Sequence, residues 1–282
     1  MEKLGIYELN KIYNEDCYQA IKNIPDKSID LVYIDIPYLH DSHGAGKGDL
    51  ATRKTKNDIE LKGCINLYEK NKNIGNNEAL IIAKNMKKSC KDIIDITEGI
   101  DYKILDELIR VMKKIHIFIW CSKSQILPLM KFFILEKECN FDLLTWNKTN
   151  PIPCANNKWL SDIEYCLYFR EKGVPLNDEY DVKSKWFTSS INQKDKELYG
   201  HPTIKPLELV KRHLLHSTNE NDIVLDTFMG SGTTAVACKE LNRNFIGFEL
   251  DKKYYEIACN RLKGLTQQDA KLQKEGQMTL FD

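Results

Sequence analysis

The sequence predicts an α/β fold built on a doubly wound, largely parallel sheet. Three observations predict it. Short runs of β-branched and apolar residues, such as 29–34 (Ile-Asp-Leu-Val-Tyr-Ile) and 115–120 (Ile-His-Ile-Phe-Ile-Trp), suit strands buried on both faces. Helical spacing alternates with them: within residues 102–114, Ile104, Leu105, Leu108, Ile109 and Met112 share one face. A further short apolar run, 223–225, leads into a Gly-x-Gly turn and then a helix.

In chain order, residues 11–13 read as a strand and 17–23 as a short helix. The strand at 29–34 ends in Asp35-Ile36-Pro37-Tyr38. A polar stretch from 39 to 57 follows, with Gly44, Gly46 and Gly48 and then Arg53, Lys54 and Lys56, and reads as a loop. Residues 58–99 have mixed helical character. Beyond 102–114 come a strand at 115–120, a helix at 125–136, a strand at 141–146 and another at 163–169. Residues 171–199 read as irregular, polar and aromatic. A helix at 207–217, the strand at 223–225, a helix from the Gly turn to Leu241, a strand at 245–248 and a helix at 254–262 complete the pattern. Residues 266–282 read as a flexible, polar tail with an apolar end.

The 282 residues suffice for one large α/β domain with insertions or for two small domains. A hydrophobic fraction of 42% and a charged fraction of 29% predict a soluble globular protein. Residues 1–10 show no signal-peptide pattern, and no apolar run is long enough to span a bilayer. The nine cysteines include no C-x-x-C pair, which argues against a zinc site. Their odd number without an export signal fits a reducing cytoplasm. The formal net charge is zero, so binding to nucleic acid would need a local basic face.

Three segments carry chemistry. The first is Asp226-Thr227-Phe228-Met229-Gly230-Ser231-Gly232-Thr233-Thr234, whose glycines allow a tight turn and close backbone approach to a ligand. A phosphate-binding P-loop would need Gly-Lys-Ser/Thr, and Thr233 follows Gly232 instead. About twenty residues on, a strand ends at Glu249, a carboxylate suited to two ribose hydroxyls. Together the two features favour a nucleoside site over a plain strand-to-helix turn. The second segment is Asp35-Ile36-Pro37-Tyr38, placed where open α/β sheets bind ligands. An exocyclic base amino group has two N–H donors; Asp35 suits one and the Ile36 carbonyl the other, with Tyr38 as a stacking face. On its own, such a motif is also an ordinary turn. The third is His201-Pro202-Thr203-Ile204-Lys205-Pro206, in which Lys205 suits a carboxylate partner; the competing reading is a rigid lead-in to a helix.

These segments together resemble the β-class amino-methyltransferases of restriction–modification systems. Asp226–Thr234 resembles that family's cofactor motif D-P-F-x-G-S-G-T-T, Asp35–Tyr38 its catalytic D-P-P-Y, and His201–Pro206 its H-P-T-x-K-P. Asn14-Glu15-Asp16-Cys17 resembles its G-D-C element, Trp146-Asn147-Lys148 its W-x-K, and Glu164-Tyr165 also fits. The catalytic motif precedes the cofactor motif, the β-class order. The resemblance implies a Rossmann-like methyltransferase sheet, circularly permuted, with inserted DNA-recognition segments. Its first two strands would end at Asp226 and Glu249, its third would be 11–13 and its fourth 29–34. The whole chain, 1–282, would be one catalytic domain, with an insertion or flap at 39–99.

The resemblance further implies S-adenosylmethionine as cofactor and double-stranded DNA as partner. Asp16, Cys17, Asp35, His201, Thr203, Lys205, Asp226, Phe228, Gly230, Ser231, Gly232, Thr233 and Glu249 would border the cofactor, with Glu249 at the ribose and Thr203 and Lys205 at the methionine end. Asp35, Ile36, Pro37 and Tyr38 would hold a flipped base. Adenine N6 is expected, because the family's N4-cytosine enzymes usually carry Ser in place of Asp35; N4 of cytosine is the alternative, and a catalytically weak DNA-binding module a further one. Three departures stand out: Ile36 and Thr227 replace prolines, and Glu15 replaces a glycine. A less rigid turn at Ile36 is the expected consequence.

Target recognition in this class usually lies between W-x-K and H-P-T-x-K-P, here about residues 150–200. Lys158, Lys183, Lys185, Trp186 and Asn192 are expected DNA contacts there, Lys148 just before it, and Lys47, Arg53 and Lys54 in the flap. Family members are often dimers, so a homodimer is a further expectation. Gln277-Met278-Thr279-Leu280-Phe281 resembles the Q-x-x-L-F peptide that docks on the bacterial sliding clamp; self-packing of Leu280 and Phe281 is the favoured reading.

Overall fold

The structure is a computed structural model that describes residues 2–38, 99–151, 159–178, 182–201 and 203–274. The chain divides into two compact units, one of Met1–Ile36 with Asp101–Asp282 and one of Pro37–Ile100. The elements below all belong to the first. Of the second, Pro37, Tyr38, Gly99 and Ile100 are described, and the rest of the expected 39–99 insertion lies outside the described residues.

A small antiparallel pair, β1 (Lys3–Leu4) and β2 (Tyr7–Glu8), precedes β3 (Lys11–Tyr13) and the short helix α1 (Cys17–Ala20). Then come β4 (Leu31–Asp35), α2 (Ile104–Val111), β5 (His116–Cys121) and α3 (Lys123–Met130). The strands β6 (Asn140–Lys148), β7 (Ile163–Arg170) and β8 (Trp186–Ser189) lead to α4 (Gln193–Tyr199) and α5 (Leu207–Ser217). The chain continues through β9 (Ile223–Asp226), α6 (Thr233–Glu240), β10 (Asn244–Phe248), α7 (Lys252–Leu262) and α8 (Gln267–Lys274).

Eight strands form one sheet in the order β3-β10-β9-β4-β5-β7-β6-β8. The first five run parallel, β7 is antiparallel to both neighbours, and β8 lies parallel to β6. The strand ending in Asp226 therefore lies beside the one ending in Phe248, next to Glu249, with the N-terminal strand 11–13 outside it, as the permuted sheet requires. The sheet's direction of winding reverses between β9 and β4, so Asp226 and Asp35 end neighbouring strands at the switch point where such sheets place ligands.

The core follows from the two-sided burial of the central strands. All six residues of β5 are buried, as are Leu31, Val32, Tyr33 and Ile34 of β4. Phe118 stacks on Tyr168 with ring centroids 4.2 Å apart and on His213 of α5 at 5.0 Å. Each large side chain of this kind contributes about 1.5–3 kcal/mol through burial. The described cysteines are free, and all but Cys259 are buried. Among the described residues no helix is long and apolar enough to cross a membrane.

Three regions differ from the sequence reading. The expected helix 125–136 is α3 followed by a π-helical stretch, Lys131–Glu136. Pro128 inside α3 has no N–H to donate, which interrupts the α ladder just before the change. Residues 171–199, read as irregular, contain β8 and α4. Finally, the expected flexible tail 266–282 opens with α8. Thr266 and Asp269 form a reciprocal cap, with Thr266 N–H to Asp269 Oδ2 at 2.8 Å and Asp269 N–H to Thr266 Oγ1 at 3.1 Å.

Candidate active site

The expected residues gather at the carboxyl ends of adjacent parallel strands. At the end of β4, Asp35 Oδ2 accepts a hydrogen bond from Lys205 Nζ at 2.5 Å. Lys205 also lies 3.1 Å from Glu164 Oε2, and Glu164 Oε1 lies 2.6 Å from Lys148 Nζ. A line of alternating charge, partly shielded from solvent, thus runs Asp35–Lys205–Glu164–Lys148. Burial opposes the charge on Lys205, but Asp35 and Glu164 outweigh it and hold its pKa above the ordinary lysine value. Burial likewise opposes the Glu164 carboxylate, but Lys205 and Lys148 outweigh it and hold its pKa at about 2. Lys205 and Glu164 are therefore both ionised at neutral pH.

Trp120, opposite Asp35 in the β4–β5 ladder, forms the floor of this line, with Lys205 Nζ 5.1 Å from its ring centre. Its indole N–H donates to Tyr33 Oη at 2.9 Å, and Tyr33 Oη lies 3.1 Å from His213 Nδ1. Burial pushes the His213 pKa down to about 3, so the ring is neutral.

The departure at Ile36 has a compensation. Its backbone N–H donates to the Trp120 carbonyl at 3.2 Å, a bond that proline cannot make. Ile36 is also 1% exposed, so packing and a ladder hydrogen bond replace the rigidity of a ring. Glu15, in place of a glycine, accepts from Tyr7 Oη at 2.8 Å. Thr227 is buried, and its Oγ1 has no hydrogen-bond partner among the described residues.

Next door, β9 delivers Asp226 into the Gly-x-Gly turn. Asp226 Oδ1 accepts from the Phe228 N–H at 3.0 Å. Its burial raises the pKa to about 7, against the opposing hydrogen bonds from Thr234 and Phe228. Gly230 (φ +52°) and Gly232 (φ +79°) occupy left-handed backbone, and a Cβ on Gly232 would lie 3.0 Å from Ala258 of α7. Glu249 Oε2 accepts from the Gly230 N–H at 2.7 Å and Oε1 from the Asp251 N–H at 2.8 Å, which orients its carboxylate. Burial raises the Glu249 pKa, against these same backbone donors. At the end of β3, Asp16 caps α1 through the Tyr18 N–H at 2.9 Å. Burial of Cys17, with help from Asp16, pushes its thiol up to about 12, so it packs as an apolar group and is no nucleophile.

His201 is buried, with its ring centre 4.4 Å from that of Tyr254, and its Nε2 would lie 3.6 Å from a Cβ on Gly230. Burial lowers its pKa to about 4, and its Nδ1 accepts from the Thr203 N–H at 3.2 Å. Ser231 and Thr233 are buried with their hydroxyls 3.2 Å apart. Thr203 is exposed.

Not every expected residue joins this site as read. Lys148, expected at DNA, faces Glu164 and lies 5.2 Å from the Trp146 ring centre. Lys185 pairs with Asp142, and Trp186 is 60% exposed on edge strand β8. Pro37 and Tyr38 follow Ile36 in the chain and belong to the second unit. Lys47, Arg53, Lys54, Lys158, Pro202 and residues 277–281 lie outside the described residues. Two contributors escaped the sequence reading of the site. Glu164 was read as part of a family element, but nothing in its spacing marked a bridge between two lysines. Arg261 lay in the helix read at 254–262 with no role assigned to it, and is 5% exposed.

The family model for DNA methylases of the N6 and N4 type matches residues 29–260. The chain belongs to this family. The Type II methyltransferase M.HinfI of Haemophilus influenzae is 30% identical over 272 residues, covering 90% of this chain and 68% of that protein. M2.MboI of Moraxella bovis is 29% identical over 270 residues, covering 90% of this chain and 88% of the relative. Among solved structures, the M1.HpyAVI–SAM complex superposes with a TM-score of 0.57 at 25% identity, covering 89% of this chain and 99% of that one. The cytosine-N4-specific PvuII DNA methyltransferase, at 14% identity and a TM-score of 0.58, shares the fold. This DNA methylase is accordingly an S-adenosylmethionine-dependent amino-methyltransferase of restriction–modification type.

Proposed function

We propose that this methylase acts on N6 of an adenine turned out of double-stranded DNA. The observation that carries the reading is the Asp35–Lys205 ion pair at the end of β4, beside the Gly-x-Gly turn at the end of β9. S-adenosylmethionine supplies an electrophilic methyl group on a sulfonium. The donor set fits it: carboxylates at Asp16, Asp226 and Glu249 suit its hydroxyl and ammonium groups, and left-handed Gly230 and Gly232 let the backbone come close.

The amino nitrogen of a base is a poor nucleophile, because its lone pair is delocalised into the ring. Asp35 accepts one of its N–H bonds and the Ile36 carbonyl the other, which localises that pair. Lys205 holds one Asp35 oxygen and fixes the carboxylate before the base arrives, so catalysis is mainly positioning and electrostatics. Tyr38 stacks on the extruded ring and offsets part of the unstacking cost, about a few kcal/mol. Trp186 and Trp159, 60% and 94% exposed in the 150–200 segment, are offered to DNA as stacking or wedge groups. We place the enzyme in the cytoplasm, where its free cysteines would stay reduced.

Asp35→Ala tests the assignment. Turnover should fall by about 100-fold or more, while cofactor affinity stays close to wild type. Near-normal methylation by this variant would overturn it.

A further inference from the structure

Arg261 joins two parts of the first unit that the sequence motifs do not connect. It projects from α7, and its side chain is only 3% exposed. Nη1 donates to Thr233 Oγ1 at 2.7 Å and to Ser231 O and Oγ, each at 3.3 Å. The guanidinium therefore grips both ends of the turn around Gly232. On its other side Nη2 lies 3.7 Å from Asp195 Oδ2, and the guanidinium carbon lies 5.1 Å from the Tyr199 ring centre. Both residues belong to α4.

α4 also contacts α8, the helix that follows α7. None of its seven residues is buried. Asn192 caps it and also donates to Asp195 Oδ2 at 2.8 Å, so the carboxylate facing Arg261 is itself held in place. The helix ends at Gly200 (φ +72°), and the next residue is His201, packed beside Gly230. A planar, multidentate cation is the one side chain that serves hydroxyl, carbonyl, carboxylate and aromatic ring at once, which lysine cannot do.

We propose that Arg261 is a positioning residue that couples α4 to the Ser231–Thr233 turn, so that changes on α4 alter cofactor affinity and cofactor binding steadies α4. The inference rests on this turn being the cofactor loop, and the wild-type titration tests that separately. No DNA enters the experiment.

The test titrates S-adenosylhomocysteine into the wild type, Asp195→Asn, Arg261→Met and the double variant by calorimetry, with thermal melts alongside. Asp195→Asn, outside every cofactor motif, should weaken binding about 3- to 10-fold in protein that the melts show to be folded. In the Arg261→Met background the same change should add less than about 2-fold, because the connection is already cut. Hydrogen exchange across α4 should slow on ligand binding in the wild type and not in Asp195→Asn. Should Arg261→Met fail to fold, Asp195→Asn and Tyr199→Leu carry the test through affinity and exchange alone. Wild-type affinity in Asp195→Asn, or equal effects in both backgrounds, would overturn the inference. A wild-type protein that binds no ligand would overturn the loop assignment and the inference with it.

Discussion

Lys205 shows how far single residues could be read. A lysine in a rigid segment ahead of a helix invites a carboxylate partner, and the structure supplies two, Asp35 and Glu164. The second was not legible, since residues 164 and 205 are far apart in the chain and only the β5–β7–β6 pairing brings Glu164 and Lys148 together. Lys148 was legible as a motif residue but not as the partner of Glu164. Removing one member of a buried pair typically costs about 3–5 kcal/mol, because its partners stay behind uncompensated. Glu164→Gln should therefore lower the melting temperature and reduce turnover more than cofactor affinity; melts and single-turnover rates of the variant check this, and wild-type values would contradict it. The pH dependence has a definite sign. A carboxylate lowered to about 2 in the folded state stabilises fully above its ordinary value near 4.5 and loses that contribution as pH falls toward 2. The stability gap between wild type and variant should thus close in acid. Asp226 behaves in the opposite sense. Burial raises it to about 7, so the free protein holds it partly protonated at neutral pH. A cationic cofactor favours the carboxylate, so binding should release a proton and affinity should rise with pH through about 7. Calorimetry in buffers of different ionisation enthalpy measures that proton; none released at pH 7 would contradict the placement.

At the scale of elements, two-sided burial made β4, β5, β9 and β10 readable, and the apolar face of 102–114 made α2 readable, with ends displaced by a few residues. Elements without a buried face left no such pattern. β8 is a four-residue edge strand, and α4 has no buried residue, so both vanished into a polar stretch. The glycine turn was readable because left-handed backbone and close packing leave few choices of residue. Gly232→Ala meets both obstacles, a φ of +79° and a Cβ 3.0 Å from Ala258. It should destabilise the protein by more than about 1 kcal/mol, a fall in melting temperature of about 2–4 °C or more. An unchanged melt would contradict the close approach of α6 to α7.

For the whole molecule, the order of the motifs along the chain was enough to foresee a permuted sheet, and the strand order β3-β10-β9-β4-β5 has that arrangement. Permutation leaves the ends of neighbouring strands where they were, so Asp16, Glu249, Asp226 and Asp35 still line one edge of the sheet. What the base looks like was less legible, because an acceptor pair of one side chain and one carbonyl suits any exocyclic amino group. The most direct measurement is to incubate the protein with labelled S-adenosylmethionine and unmethylated bacterial DNA, digest the DNA to nucleosides and identify the product by mass. The account predicts N6-methyladenine. N4-methylcytosine, or no methylated nucleoside from a protein that binds the cofactor, would contradict it.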